Sequence, residues 1–101
     1  MSDTSVTLVA TGTPNPEAMA EMQQYIGAAG PILANHGGEV VYRGKTGKAL
    51  AGDVTFAMIL IMKFESEATL EAALESDAYK EIVPLREKGF KHMDFVVSHS
   101  M

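Results

Sequence analysis

The sequence has no cysteine. That excludes disulfides, thiolate nucleophiles and zinc–sulfur sites, and it permits an intracellular home. Basic charge is scarce. Eight Lys and Arg stand against 13 Asp and Glu, a formal net charge of −5. Phosphate backbones and anionic membrane surfaces need a basic face, so neither nucleic acid nor membrane is the expected partner. Long apolar runs are missing too. The longest, Phe56–Met62, is far short of the roughly 20 residues a spanning helix needs. Met1–Ser5 carries no Lys or Arg ahead of an apolar run, unlike a secretory signal, and the expected localisation is cytoplasmic.

What remains is ordinary for a small globular domain: 101 residues, 47% hydrophobic and 21% charged. We read residues 1–101 as one domain, with loose ends at 1–4 and 99–101. A chain this short buries a limited core, so a second copy would help it.

Ser5–Thr11 is rich in β-branched residues and reads as a strand, with Gly12 turning the chain out of it. Asn15, Pro16 and Glu17 form a helix start. The helix runs to about Asn35, with Met19, Met22, Ile26, Ala29 and Leu33 as its apolar stripe. Gly30-Pro31 predicts a kink, because the proline ring crowds the Gly27 carbonyl. Gly37-Gly38 ends the helix. Glu39–Arg43, extending to Lys45, is a second strand, followed by a polar hairpin over Gly44–Asp53. Gly44-Lys45-Thr46-Gly47-Lys48 within it lacks the spacing and following helix of a phosphate loop. Thr55–Phe64 is a third strand, apolar on both parities and so covered on both faces. Ser66 caps a helix through about Glu75. Ser76 caps a short continuation that Pro84 disturbs and Lys88-Gly89 ends. Lys91–Ser98 is the last strand.

The order strand, helix, strand, strand, helix, strand predicts an α+β fold, a ferredoxin-like βαββαβ sandwich with both helices on one sheet face. The opposite face, with Thr7, Val9 and Val41, is left bare. A homodimer through that open sheet face is the simplest cover.

Several polar residues carry possible chemistry. Arg86 can clamp a carboxylate or enolate, or pair with Glu17 or Glu21. Tyr79, seven residues earlier on the same helix side, can orient a substrate oxygen or donate a proton. Its structural alternative is a core tyrosine bonded to a backbone carbonyl. Tyr25 is read the same way. His36, at a helix C-terminus, fits a cap better than a base, since the helix dipole favours its protonated form. His92 and Asp94 share a strand face, but His36, His92 and His99 lack metal-ligand spacing, so no metal is expected. Met58 and Met62 share one face of the third strand as adaptable apolar lining or ordinary core.

Asn15-Pro16-Glu17-Ala18, His36-Gly37-Gly38, Phe64-Glu65-Ser66, Ser76–Arg86 with Tyr79 and Pro84-Leu85-Arg86, and Lys88-Gly89-Phe90 with Met93 occur in an order that covers nearly the whole chain. In that order they resemble the dimeric α/β-barrel superfamily, and within it a small bacterial domain-of-unknown-function family. Many members carry tyrosines on the first helix where this chain has Met19 and Met22. The superfamily implies cofactor-free monooxygenases, haem-degrading monooxygenases, muconolactone isomerases or plain structural dimers, so fold alone does not name a reaction.

The expected function is binding of a small anionic or aromatic metabolite between sheet and helices. No cofactor is expected, and the reaction class is a cofactor-independent monooxygenase or isomerase. The catalytic candidates are Arg86, Tyr79 and His36; the ligand-binding candidates are Tyr25, Arg86, Met58 and Met62. The alternative is a non-catalytic ligand-binding or structural homodimer. Haem-dependent oxygenation is a third reading, which a visible absorbance band on adding haem would reveal.

Overall fold

The computed structural model describes residues 4–101; residues 1–3, with the signal reading and the loose end assigned there, lie outside the described residues. Strand β1 covers Val6–Pro14, and a single 3-10 turn follows at Pro16–Ala18. Helix α1 is Met19–Asn35, strand β2 Glu39–Lys45 and strand β3 Met58–Phe64. Helix α2 is Glu67–Glu75, helix α3 Asp77–Gly89 and strand β4 Phe90–Ser98. The sheet order is β2-β3-β1-β4, and every pairing is antiparallel. This is the ferredoxin-like arrangement.

Several boundaries differ from expectation for identifiable reasons. Gly12 does not turn the chain; it lies inside β1, opposite Met58 and Met93. A Cβ there would sit 3.3 Å from Met93 Cε and 3.4 Å from Phe90 Cδ1, so the glycine admits those side chains. β3 begins at Met58 rather than Thr55, because the segment before it makes only isolated bonds, such as Ala57 N–H to the Gly12 carbonyl at 2.9 Å. The continuation after Ser76 is a full helix of 13 residues that contains Pro84. Its start is held by Ser76 Oγ, which accepts from Tyr79 N–H at 3.2 Å and donates to the Ala73 carbonyl at 2.8 Å.

Helix α1 continues through Pro31. A residue before proline normally avoids helical angles because its Cβ meets the proline ring, and Gly30 has no Cβ. The apolar stripe is Met22, Tyr25, Ala29 and Leu33; Met19 and Ile26, placed in it from the sequence, are exposed. Gly37 takes a φ of +87°. Its N–H bonds the Ala34 carbonyl and that of Gly38 bonds Leu33, both at 2.9 Å, which closes the helix as a Schellman cap.

One side chain ties the two halves together. Asn15 Oδ1 accepts from Glu17 N–H at 3.0 Å and starts the 3-10 turn. Its Nδ2 donates to the Lys88 carbonyl at 3.2 Å, and its own N–H donates to that of Gly89 at 2.9 Å. The end of α3 is thereby fastened to the end of β1.

Val6, Leu8, Ala10, Met62 and Phe64 are buried beneath the helices. By strand alternation Thr7, Val9, Ile59 and Ile61 point the other way. That open face is continued by Val96, paired with Val9 and 58% exposed, and by Tyr42, paired with Ile61 and 55% exposed.

Candidate functional site

Between α1 and the β2–β3 side of the sheet lies a cavity of about 550 Å³. Its walls are Ile26, Ala29 and Leu33 from α1 and Leu8, Met58, Leu60 and Met62 from the sheet, with Phe90, Met93 and Phe95 from β4 closing one end. Tyr25 reaches it from α1. Met58 and Met62 both line it, so the two methionines share the helix-facing side of β3.

Tyr25 is the visible end of a hydrogen-bonded chain. Its hydroxyl lies 2.6 Å from that of Tyr79, and Arg86 Nη1 donates to the Tyr79 hydroxyl at 2.9 Å. The rings of Tyr25 and Tyr79 meet edge-on with centroids 6.2 Å apart, and Tyr25 makes a similar contact with Phe90 at 5.8 Å. The Arg86 guanidinium stands 5.7 Å from the Tyr79 ring centroid and 5.6 Å from that of Phe95.

Only the Arg86 end of the chain has a fixed direction. Arginine only donates. Tyr79 is buried, and its hydroxyl hydrogen needs an acceptor. The Tyr25 oxygen is the acceptor within reach. In the order Arg86 to Tyr79 to Tyr25 the Tyr25 hydrogen is left for a ligand in the cavity; without one, Tyr25 can equally donate to Tyr79. Burial above all pushes the Tyr25 phenol above the usual tyrosine range. It is a donor, not a base. For Arg86, burial works against the charge, but the Tyr79 bond and the neighbouring phenols and Glu87 outweigh it and the guanidinium pKa is raised.

The structure thus brings Arg86, Tyr79 and Tyr25 together, with Met58 packed against them, while Met62 is buried with Leu33 and Phe64 and shares the cavity wall with Tyr25. Arg86 itself is not in the cavity wall. It borders a separate depression of about 230 Å³ with Glu87, Lys91 and His92. Its suggested pairing with Glu21 is replaced: Glu21 lies 3.4 Å from Lys88 instead. Glu21 is held below the usual carboxylate range by a backbone hydrogen bond and then by Lys88. His36 stands apart from this group. It caps α1, with Nδ1 donating to the Ile32 carbonyl at 3.0 Å. Among the described residues no three His, Asp or Glu side chains converge as a metal site.

The two charged residues of the cavity wall, Arg43 and Lys45, were not among the site candidates read from the sequence. A bulge between Val40 and Tyr42 places them opposite Leu60 and Met58, on the cavity side of β2. Simple alternation from Val41 would have carried them to the open face.

Helices over one face of a four-stranded antiparallel sheet, with an apolar cavity between them, define a small protein of ferredoxin-like fold. The chain belongs to the family described as "Domain of unknown function (DUF1330)", whose profile matches residues 10–100. No curated protein matches it. Among solved structures it is similar to RPA0582, a protein of unknown function from Rhodopseudomonas palustris. The identity is 17% and the TM-score 0.84, covering 99% of this chain and 85% of that one. It is also similar to SnoaB, a cofactor-independent oxygenase from Streptomyces nogalater, at 14% identity and a TM-score of 0.69 over 96% and 93% of the two chains. A dimeric ferredoxin-like protein of unknown function from Bacteroides fragilis is similar at 10% identity and a TM-score of 0.63, over 95% and 96%. At these identities the likeness is one of fold. Among the described residues no helix is long and apolar enough to cross a membrane.

Proposed function

We propose that the cavity binds a small, flat, largely apolar metabolite and stabilises negative charge on one of its oxygens. The observation that carries this is the Arg86–Tyr79–Tyr25 chain ending at an apolar wall. A hydroxyl whose oxygen already accepts a hydrogen bond is a stronger donor, and a low-dielectric surround strengthens it further. Aimed at a carbonyl oxygen, such a donor favours the enolate over the ketone, as preorganised donors do at developing oxyanions. Enolate formation is the step shared by isomerisation of unsaturated lactones and cofactor-independent oxygenation. The likeness to SnoaB supports the latter as the reaction class to test first. Arg86 and Tyr79 are positioning residues in this scheme, acting through Tyr25.

The test is a thermal-shift screen against aromatic acids, quinols and lactones, followed by titration of Tyr25→Phe with any hit. Ligand at about 100 times its Kd adds roughly 2.7 kcal/mol, which should raise the melting temperature by on the order of 10 °C or more. Tyr25→Phe should weaken binding by about tenfold, the value of one hydrogen bond. Equal affinity in the variant would remove Tyr25 from the site.

A second reading is favoured by one feature of the wall. Among the described residues no carboxylate or imidazole lines the cavity, so the wall supplies no general base of ordinary kind. Under this reading the protein binds its ligand without turning it over. Oxygen uptake and proton exchange with a bound hit separate the two.

We further propose that the chain forms a homodimer through the open sheet face, where Val41 at 62%, Tyr42 and Val96 expose apolar surface. The dimeric description of the Bacteroides fragilis neighbour supports this. Light scattering should give about twice 10.8 kDa, and Val96→Glu should return the mass to that of one chain. A single-chain mass for the unaltered protein would refute the dimer.

A further inference from the structure

We propose that Arg43 and Lys45 anchor the headgroup of the ligand, so that the cavity selects an amphiphilic organic anion over a neutral compound of the same shape. The inference rests on the small-molecule reading of the cavity and names the class of that molecule.

The two cations are neighbours on one face. Residues two apart on a strand are separated by roughly 7 Å and point the same way. The bulge at Val41 turns that face toward the cavity, where both residues line the wall. Among the described residues neither has an ion-pair partner or a side-chain hydrogen bond. Two like charges this close repel each other, and an oxyanion shared between them relieves the repulsion. The arginine fork matches a carboxylate or phosphate in two places, and lysine adds a point charge.

The rest of the cavity has the complementary character. Met58, Leu60 and Met62 form an apolar floor, and the Tyr25 hydroxyl, when Tyr79 donates to it, has a hydrogen for the ligand. Among the described residues no carboxylate in the wall opposes an anion. A ligand with one anionic end, a flat apolar body and an electron-rich oxygen meets each of these features. Arg86 is not needed as the anion clamp, since its Nη1 is already committed to Tyr79.

The experiment is calorimetric titration at low ionic strength with 2-naphthoate, its methyl ester and 2-naphthyl phosphate. The proteins are the unaltered chain, Arg43→Gln/Lys45→Gln, and Lys80→Gln/Lys91→Gln as an equal charge change elsewhere. An anion should bind the unaltered chain at least about tenfold tighter than the ester. The cavity variant should lose that preference while keeping its affinity for the ester, and the control should retain it. Whichever anion binds more tightly identifies the headgroup as carboxylate or phosphate, and either result supports the proposal. If the ester binds as well as the anions, or the cavity variant keeps the preference, the anchor is overturned and the cavity reading stands. If none of the three binds, both fail together.

Discussion

The two halves of the core are filled by different means. One cluster, Val6, Leu8, Leu33, Met62, Phe64, Leu70 and Ala73, holds only hydrocarbon and a thioether. The other, Met22, Tyr25, Ala29, Tyr79, Ile82 and Phe90, contains two phenols. The largest side chain at the centre of each is equally closed: Phe64 and Tyr79 are each 1% exposed. The first cluster stabilises by removing apolar surface from water, which needs no particular geometry. The second gains the same burial only because its hydroxyls are bonded to each other and to Arg86; unbonded, each would cost about 1–3 kcal/mol. Satisfying a hydroxyl fixes a direction, and direction is what a binding site needs. Both clusters reach the cavity, the first through Leu8, Leu33 and Met62 and the phenolic one through Tyr25, Ala29 and Phe90, but only the second brings a hydroxyl to it.

Substitutions should separate the clusters. Phe64→Ala should cost about 3–5 kcal/mol, as large aromatic truncations do, against a total of roughly 5–15 for a domain. Urea unfolding measures it, and ligand affinity of the folded fraction should change little. Tyr79→Phe should cost less, about 1–3 kcal/mol, because water can take the place of the lost partner at half-buried Arg86. Its effect on ligand affinity should be the greater, since Tyr25 then loses its polarising neighbour. The double variant should be additive within about 0.5 kcal/mol if the clusters are independent; a larger coupling would merge them.

The smallest effect is in pH. Tyr25 holds its proton in the folded state above the ordinary tyrosine value of 10.0, which the unfolded chain follows. The folded state therefore binds more protons above that pH, and this contribution to stability is complete below it and lost as pH rises. The melting temperature of the unaltered chain should fall more steeply above about pH 10 than that of Tyr25→Phe. Parallel curves would place the phenol in an ordinary environment.

Much of this was legible in the residues. Caps at Asn15, Ser66 and Ser76 and the glycines after Asn35 mark helix ends by local chemistry, so the βαββαβ order could be read directly. Tyr79 and Arg86 share a helix side by spacing alone. Their connection to Tyr25 is a meeting of α1 with α3, which no local pattern encodes. The cations of β2 were hidden for a different reason: alternation is a reliable guide only while the register holds, and one extra residue at Val41 reverses it. Gly12 was misread because a glycine that admits neighbouring side chains looks, in sequence, like one that turns the chain.

The Asn15 clasp has a consequence for how the molecule is assembled. Its bond to the Lys88 carbonyl joins residues 73 apart in sequence. A contact of that span closes most of the chain into one loop, and the loop-closure entropy opposes it until other pairings have drawn the ends together. The clasp therefore belongs to the late, downhill side of folding. Its loss should leave the folding rate nearly untouched and speed unfolding, so that Asn15 sets how long the native state lasts more than how quickly it is reached.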